Sequence, residues 1–268
     1  MPIERKPAKI SNHPFLNALL YLIENGCKWL ALPKTFGNWH TIYVKFNRWS
    51  KNGTIQRIFE ELQKQKIIDI QSEVLSLDST SVKVHPDAAG ARKSSGEQSL
   101  IKKTGDLTRS FRVRNFILFL QNLGATCVSR LSAKRGLTTK IHAVCASDKF
   151  ALKFHLSAGN RHDAPEGRKL IESLNSETAQ YLLMDRAYED DETRALAFSR
   201  GFIPVVPPKK NRKSPWVYDS ETYKRRNEVE RFFLRVKRFR KVFTRYDKLD
   251  IIYFSVFTLA LIFDALFM

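Results

Sequence analysis

EVLSLDSTSVKVH, residues 73–85, is the stretch on which the fold turns. It alternates as a strand does: Val74, Asp78, Val82 and Val84 fall on one side of an extended chain, Leu75 and Leu77 on the other. Upstream of it the apolar residues recur at helical spacing. Downstream LTTKIHAVCA (137–146) and ALKFHLSAG (151–159) read as two further strands. DAPEGRKLIESL (163–174) reads as a helix with Asp163 as N-cap and Pro165 in its first turn. YLLMD (181–185) is a short apolar strand, DDETRALAFSRG (190–201) a helix closed by Gly201, and IPVVP (203–207) a strand that prolines stop. A long basic helix is expected from about 220 to 245, followed by an apolar C-terminal helix. Three consecutive strands, then helix, strand, helix, strand, helix, is a mixed α/β order with a hairpin-built start and a parallel continuation.

The first two strands are separated by about 50 residues, long for a connection inside a compact domain. Its opening, HPDAAGARKSSGEQS, is small and polar. Its second half holds the apolar run FILFLQNL, which suits a helix and a strand pair equally.

Residues 1–68 read as a separate helical unit, with 69–268 as the second domain. HPFLNALLYLIENG (13–26) carries Phe15, Leu16, Leu19, Leu20 and Leu22 at helical spacing and stops at Gly26. In the next helix Trp39, Tyr43, Phe46 and Trp49 share a face, with Lys45, Arg48 and Lys51 off it; TIQRIFEELQKQ (54–65) is a third. Three short helices with a basic middle one suit a helix-turn-helix-like DNA module, and also a helical cap that only packs on the rest.

With 46 Lys and Arg against 27 Asp and Glu, the chain carries a formal charge of +19 over 268 residues. That charge calls for a polyanionic partner, nucleic acid before an anionic membrane surface. Cys27, Cys127 and Cys145 are widely spaced and odd in number, which argues against a disulfide framework or a zinc site and fits a reducing cytoplasm. The N-terminus has no apolar run of signal-peptide length. IIYFSVFTLALIFDALFM (251–268) is about long enough to span a bilayer, but Asp264 interrupts it and no basic flank follows, so it is read as a buried core helix.

Against this cationic background the acids stand out. Asp185 ends its strand where α/β sheets open onto a ligand crevice; if that strand neighbours the one carrying Asp78, two carboxylates meet at one sheet edge. Either alone could equally cap a turn. A third acid comes from YKRRNEVERFFLRVKRFR (223–240). At 100° per residue, with Tyr223 at zero, Arg226, Glu230 and Lys237 fall at about 300°, 340° and 320°, one narrow stripe. Val229, Phe232, Phe233, Val236, Phe239 and Phe243 form the neighbouring core face, and Lys224, Arg231, Arg235 and Arg238 a solvated one.

The spacing Tyr223, Arg226, Glu230, Lys237 resembles the Y-(2)-R-(3)-E-(6)-K signature of the IS4/IS5 superfamily of DDE transposases. LDSTSVKVHPDAAGARKSSGEQS, RGLTTKIHAV, LLMDRAYEDD, PPKKNRKSPWVYD and, in the helical unit, WLALPKTFGNWHTIYVKFNRWSKNG are similar to the IS5-family sequence in the same order. The resemblance implies an RNase H-like catalytic core with Asp78, Asp185 and Glu230 as the catalytic, metal-binding triad. It implies two Mg²⁺ or Mn²⁺ ions, hard cations that take oxygen ligands and serve in-line phosphoryl displacement. It also implies double-stranded DNA as partner, a homodimer on that DNA, a nucleoid-associated cytoplasmic location and no membrane. Arg226, Lys237, Tyr223, Arg231, Lys140 and His162 are the expected DNA contacts, and His85 and His142 are read as structural. Segment 208–248 holds 15 Lys and Arg against 5 acids, and segment 92–135 holds 10 against 2, which favours salt-dependent backbone binding. The departure is at about 100–133, where LIKKTGDLTRSFRVRNFILFLQNLGATCVSRLSA has no counterpart in the resembling family and reads as an atypical insertion.

Overall fold

The computed structural model describes residues 10–68, 72–89, 100–103, 136–174 and 180–267, so the run FILFLQNL and most of the expected insertion lie outside the described residues. Strand β1 (Val74–Val84) is central. A two-residue strand β2 (Lys102–Lys103) precedes β3 (Leu137–Cys145), which runs antiparallel to β1 from Ser76 opposite Cys145 to Lys83 opposite Thr138. Strand β4 (Ala151–Ala158) returns antiparallel on β3. On its other edge β1 takes β5 (Tyr181–Met184) in parallel, and β6 (Ile203–Val205) follows in parallel on β5. The long strands thus stand in the spatial order β4-β3-β1-β5-β6, an antiparallel hairpin start with a parallel continuation, as the sequence pattern predicts.

Helices cover both faces. Helices α4 (Asp163–Glu172) and α5 (Asp191–Ser199) pack on one face, where Leu75, Leu77, Val144, Leu170, Ile171, Leu182, Met184 and Tyr188 form a buried cluster. The opposite face, with Val82, Ile141, Ala143 and Cys145, meets a larger core to which the N-terminal helices α1 (Asn12–Asn25), α2 (Trp39–Lys51) and α3 (Thr54–Lys64) also contribute. The helices of the 1–68 unit therefore share one apolar core with the sheet. The expected cationic stripe of α2 changes in consequence: Lys45 is 6% exposed, and its ammonium donates to Ile10 O at 3.0 Å and Asn12 Oδ1 at 2.8 Å above the Phe15 ring. It ties the N-terminal segment down and is withdrawn from any surface.

The expected single helix over 220–245 is three: α6 (Ser220–Lys224), α7 (Asn227–Val236) and α8 (Arg240–Phe243). At the first break Glu228 N–H bonds to Arg225 O and Val229 N–H to Arg226 O, tight three-residue turns that reset the helical phase. At the second, Phe239 is extended (φ −66°, ψ 107°) so that its ring can enter the core. This interruption turns Phe243, expected on the core face, outward to 57% exposure. It also lets Thr244–Arg245 form a two-residue strand β7 parallel to the far end of β1. Arg235, expected in solvent, instead reaches α9 (Asp250–Phe267) and pairs with the buried Asp264 at 2.6 Å. Helix α9 is long and apolar enough to cross a membrane, yet 72% of it is buried inside the protein, in keeping with a core helix.

Candidate active site

Strand pairing carries the first two acids to one place. β5 pairs with β1 up to Leu77 opposite Met184, so Asp78 and Asp185 are the next residues of two neighbouring strands, whose backbones run about 5 Å apart. β7 occupies the same edge of β1 only from Lys83 onward, so among the described residues β1 has no strand partner there between Asp78 and Val82. Side chains from the two ends of α7 enter that gap. Each carboxylate is held by its own chain turn: Asp78 Oδ1 accepts from Ser79 N–H at 2.7 Å, and Asp185 Oδ1 from Arg186 N–H at 2.5 Å as it opens a short 3₁₀ turn over Arg186–Tyr188. Burial raises the Asp78 pKa, and the Asp185 charge adds to that; Ser79 N–H and Arg226 work the other way without cancelling it.

Arg226 stands at the junction of α6 and α7 and reaches into the gap. One guanidinium nitrogen donates to Asp78 Oδ2 at 2.8 Å, the other to Glu230 Oε1 at 2.7 Å. Burial opposes its charge, but Asp78, then Tyr223, Asp185 and Glu230, more than compensate and hold its pKa above the usual arginine range. Asp78 and Glu230 thus share one cation, Glu230 through its i,i+4 pairing with Arg226, and Asp185 stands beside Asp78 by strand register. Lys237, which follows α7, donates to Thr80 Oγ1 at 2.5 Å and to Ser81 O at 3.4 Å, farther along the same open edge. The stripe therefore survives the helix breaks because Arg226, Glu230 and Lys237 all belong to α7 or its immediate ends. Tyr223 lies in the short α6, packed edge-on against Tyr218 at 5.6 Å between ring centroids.

The remaining expected contacts divide. Arg231 is 60% exposed in its side chain, beside Asp148 at 3.6 Å. His162 is exposed and occupies the N-cap position of α4. That displaces Asp163, expected as the cap: it is the first helical residue, and its carboxylate is turned into the protein. Asp163 Oδ1 accepts from Ser79 Oγ and from Lys140 Nζ, each at 2.9 Å, and lies 4.0 Å from His142 Nδ1. Lys140 also donates to Arg161 O, so its ammonium faces this internal anchor. His142 is fully buried, with Nε2 on Ser157 Oγ at 2.8 Å. The Ser79–Asp163–Lys140 linkage behind Asp78 escapes sequence reading, since nothing local reveals that a first-turn acid will meet a strand 84 residues upstream.

A divalent cation would find all-oxygen, anionic donors in Asp78, Asp185 and Glu230, the set that hard cations take. Among the described residues no three acids or imidazoles are clustered tightly enough to hold an ion as they stand. The Arg226 guanidinium lies between two of the carboxylates and marks the position as one that attracts and accommodates positive charge.

Residues 69–215 match the family described as "Transposase DDE domain", and residues 1–59 match "Putative transposase of IS4/5 family". The chain belongs to the IS4/IS5 superfamily of DDE transposases. The DDE match ends before Arg226, so the stripe of α7 lies beyond it. Among curated relatives, the "Putative transposase for insertion sequence element IS6501" of Brucella ovis is 31% identical over 116 residues, 42% of this transposase and 85% of the relative. The "Uncharacterized protein y4sN" of Sinorhizobium fredii is 30% identical over 92 residues, 34% of this transposase and 70% of the relative. The RNase H-like architecture expected from the sequence is that of the family. Of solved structures, the piggyBac transposase synaptic complex with hairpin DNA overlaps with a TM-score of 0.37 at 9% identity, covering 79% of this transposase and 46% of that chain.

Proposed function

We propose that this insertion-sequence transposase binds the terminal inverted repeats of its element and cuts and rejoins DNA with Asp78, Asp185 and Glu230 as its metal-binding carboxylates. The observation that carries the reading is the register of β1 on β5, which sets Asp78 beside Asp185 at an open strand edge facing Glu230 and two cations. Burial and the neighbouring Asp185 charge both disfavour the ionised form of Asp78, and a cation held at the edge offsets that cost. Two Mg²⁺ or Mn²⁺ ions bound there would stabilise the attacking and leaving oxygens of an in-line displacement at phosphorus. The protein's own groups do the positioning. Ser79 and Arg186 N–H groups fix the two aspartates, Arg226 and Lys237 present charge for phosphate oxygens along the edge, and Tyr223 backs Arg226. Exposed Arg231 extends the basic surface. Water attacks first, breaking the phosphodiester at the transposon end to free its 3′-OH and leave a 5′-phosphate on the flank; that 3′-OH then attacks a target phosphodiester, joining to its 5′-phosphate and releasing the target 3′-OH. Joining two ends calls for two copies of the chain on DNA, in the cytoplasm at the nucleoid.

The test uses labelled DNA carrying both boundaries of the encoding element, with Mg²⁺, comparing the unaltered chain with Asp185→Asn and Glu230→Ala. Nicking and joining by the unaltered chain, with losses of at least about a hundredfold in both variants, supports the reading. DNA bound but neither cut nor joined by the unaltered chain means a protein that keeps the fold and has lost the chemistry.

A further inference from the structure

We infer that Arg226 is the resident cation of the carboxylate cluster and leaves it for a DNA phosphate, so that divalent metal and DNA load together. The inference rests on the reading of Asp78, Asp185 and Glu230 as metal ligands. Its starting point is that Arg226 uses its two terminal nitrogens on two of those residues at once, at 2.8 and 2.7 Å, with a side chain only 17% exposed. Asp78 Oδ1 accepts from Ser79 N–H. Its other oxygen, Oδ2, is the one that Arg226 holds. A dication drawn to Oδ2 meets a guanidinium nitrogen 2.8 Å from that oxygen, and the two cations repel each other strongly in a partly desolvated place.

Lys237 shows the contrast. It lies along the same edge but is tethered to neutral oxygens, Thr80 Oγ1 and Ser81 O, and so takes no carboxylate from a metal. Among the described residues only Arg226 must move. A planar guanidinium released from carboxylates needs another bidentate anion, and phosphate is the one that matches its fork. Its position favours such a move: Arg226 belongs neither to α6 nor to the regular turns of α7 but to the joint between them. In the absence of DNA the guanidinium neutralises the cluster and the metal is held off. With a phosphate at the edge, the guanidinium trades partners and the carboxylates are freed. By linkage the effect is reciprocal: DNA raises metal affinity by the factor by which metal raises DNA affinity.

The test measures Mn²⁺ binding by electron paramagnetic resonance on the full chain, with and without a short duplex of arbitrary sequence. Ions held by DNA alone are subtracted with the duplex free of protein. The unaltered protein should bind Mn²⁺ weakly alone and about tenfold more tightly with the duplex, within the usual range of such couplings. Arg226→Gln, which keeps the reach and loses the charge, should bind Mn²⁺ tightly without DNA and gain nothing from it. Mn²⁺ should also raise its melting temperature more than that of the unaltered chain. Arg226→Lys tests the fork, because one ammonium cannot bridge both acids as a guanidinium does; coupling weaker than in the unaltered protein is expected. If Arg226→Gln binds Mn²⁺ no more tightly than the unaltered chain while Asp185→Asn weakens both, the resident-cation inference is overturned and the triad stands. Should Asp185→Asn leave Mn²⁺ binding unchanged in every background, the metal-ligand reading itself falls.

Discussion

Ser79 Oγ donates to Asp163 Oδ1 at 2.9 Å while the Ser79 main-chain N–H donates to Asp78 Oδ1 at 2.7 Å. One residue of β1 therefore holds the candidate catalytic aspartate on one side of the sheet and the first residue of α4 on the other. Lys140 adds a second donor to the same Asp163 oxygen. The acid read from sequence as a simple helix cap is the pin between helix and strand at the site.

Removing that pin has a defined signature. Ser79→Ala deletes one hydrogen bond and leaves the main-chain bond to Asp78; the expected loss is about 1 kcal/mol. Asp163→Ala also strips Lys140 of its carboxylate and should cost about 1–3 kcal/mol. Because both changes break the same contact, the double variant should lose less than the sum by at least about 0.5 kcal/mol. Urea unfolding of the four proteins measures this, and strict additivity would mean that the contact contributes nothing in solution.

The same neighbourhood sets a pH dependence. Burial lowers the His142 pKa to about 4, outweighing Asp163 and Glu166, which raise it, and joined by His155 and Lys140, which lower it further. In the unfolded chain the imidazole titrates near its ordinary value of 6.5. Between these values the unfolded chain holds a proton that the folded one refuses, so this contribution to stability is complete above pH 6.5 and declines as pH falls toward 4. The decline amounts to at most about 3 kcal/mol. Unfolding followed at pH 7 and pH 5 should show it, and His142→Gln, which retains an amide for Ser157, should flatten the difference. An unchanged slope in that variant would assign the pH dependence to other groups.

Much of this was legible in the sequence because the signals are local. Alternation in 73–85 and a short apolar run in YLLMD place Asp78 and Asp185 at a strand and a strand end, and the helical phase of 223–240 separates Glu230 from the core phenylalanines. What the pattern could not contain is tertiary compensation. Lys45 and Arg235 look like surface cations until Asn12 and Asp264 arrive to pair with them. The break at Phe239 is set by the core it must enter, not by any glycine or proline, so an unbroken helix is the natural expectation from the residues alone. β2 and β7 have two residues each, too few for a period to show.

The Arg235–Asp264 pair lends itself to a cycle. Burial raises the Asp264 pKa, with Arg235 and then Arg238 pulling the other way, and the residue is only 2% exposed. Arg235→Leu leaves that carboxylate without its main partner and should cost about 3–5 kcal/mol. Adding Asp264→Asn removes the charge that was stranded, so the double variant should recover a substantial part of the loss. If it proves less stable than Arg235→Leu alone, Asp264 is serving α9 through some contact other than this pair.

Gly167 tests how tightly α4 must approach the sheet. A Cβ there would come within 2.5 Å of Tyr188 Cε1, 2.9 Å of Cδ1 and 3.2 Å of Leu77 Cδ2. Tyr188 is 1% exposed, so its ring has no room to swing aside. Helix propensity favours Gly167→Ala by about 1 kcal/mol, whereas overpacking of this kind costs about 1–3 kcal/mol. The clash should win, lowering the melting temperature by a few degrees. Since α4 carries Asp163, a helix pushed outward also lengthens the reach to Ser79, and Gly167→Ala should weaken the Ser79–Asp163 coupling measured by the double-variant cycle. Trimming the ring with Tyr188→Leu in the same chain should restore that coupling. A stabilised Gly167→Ala with the coupling intact would show that α4 tolerates a wider spacing and that the pin does not depend on it.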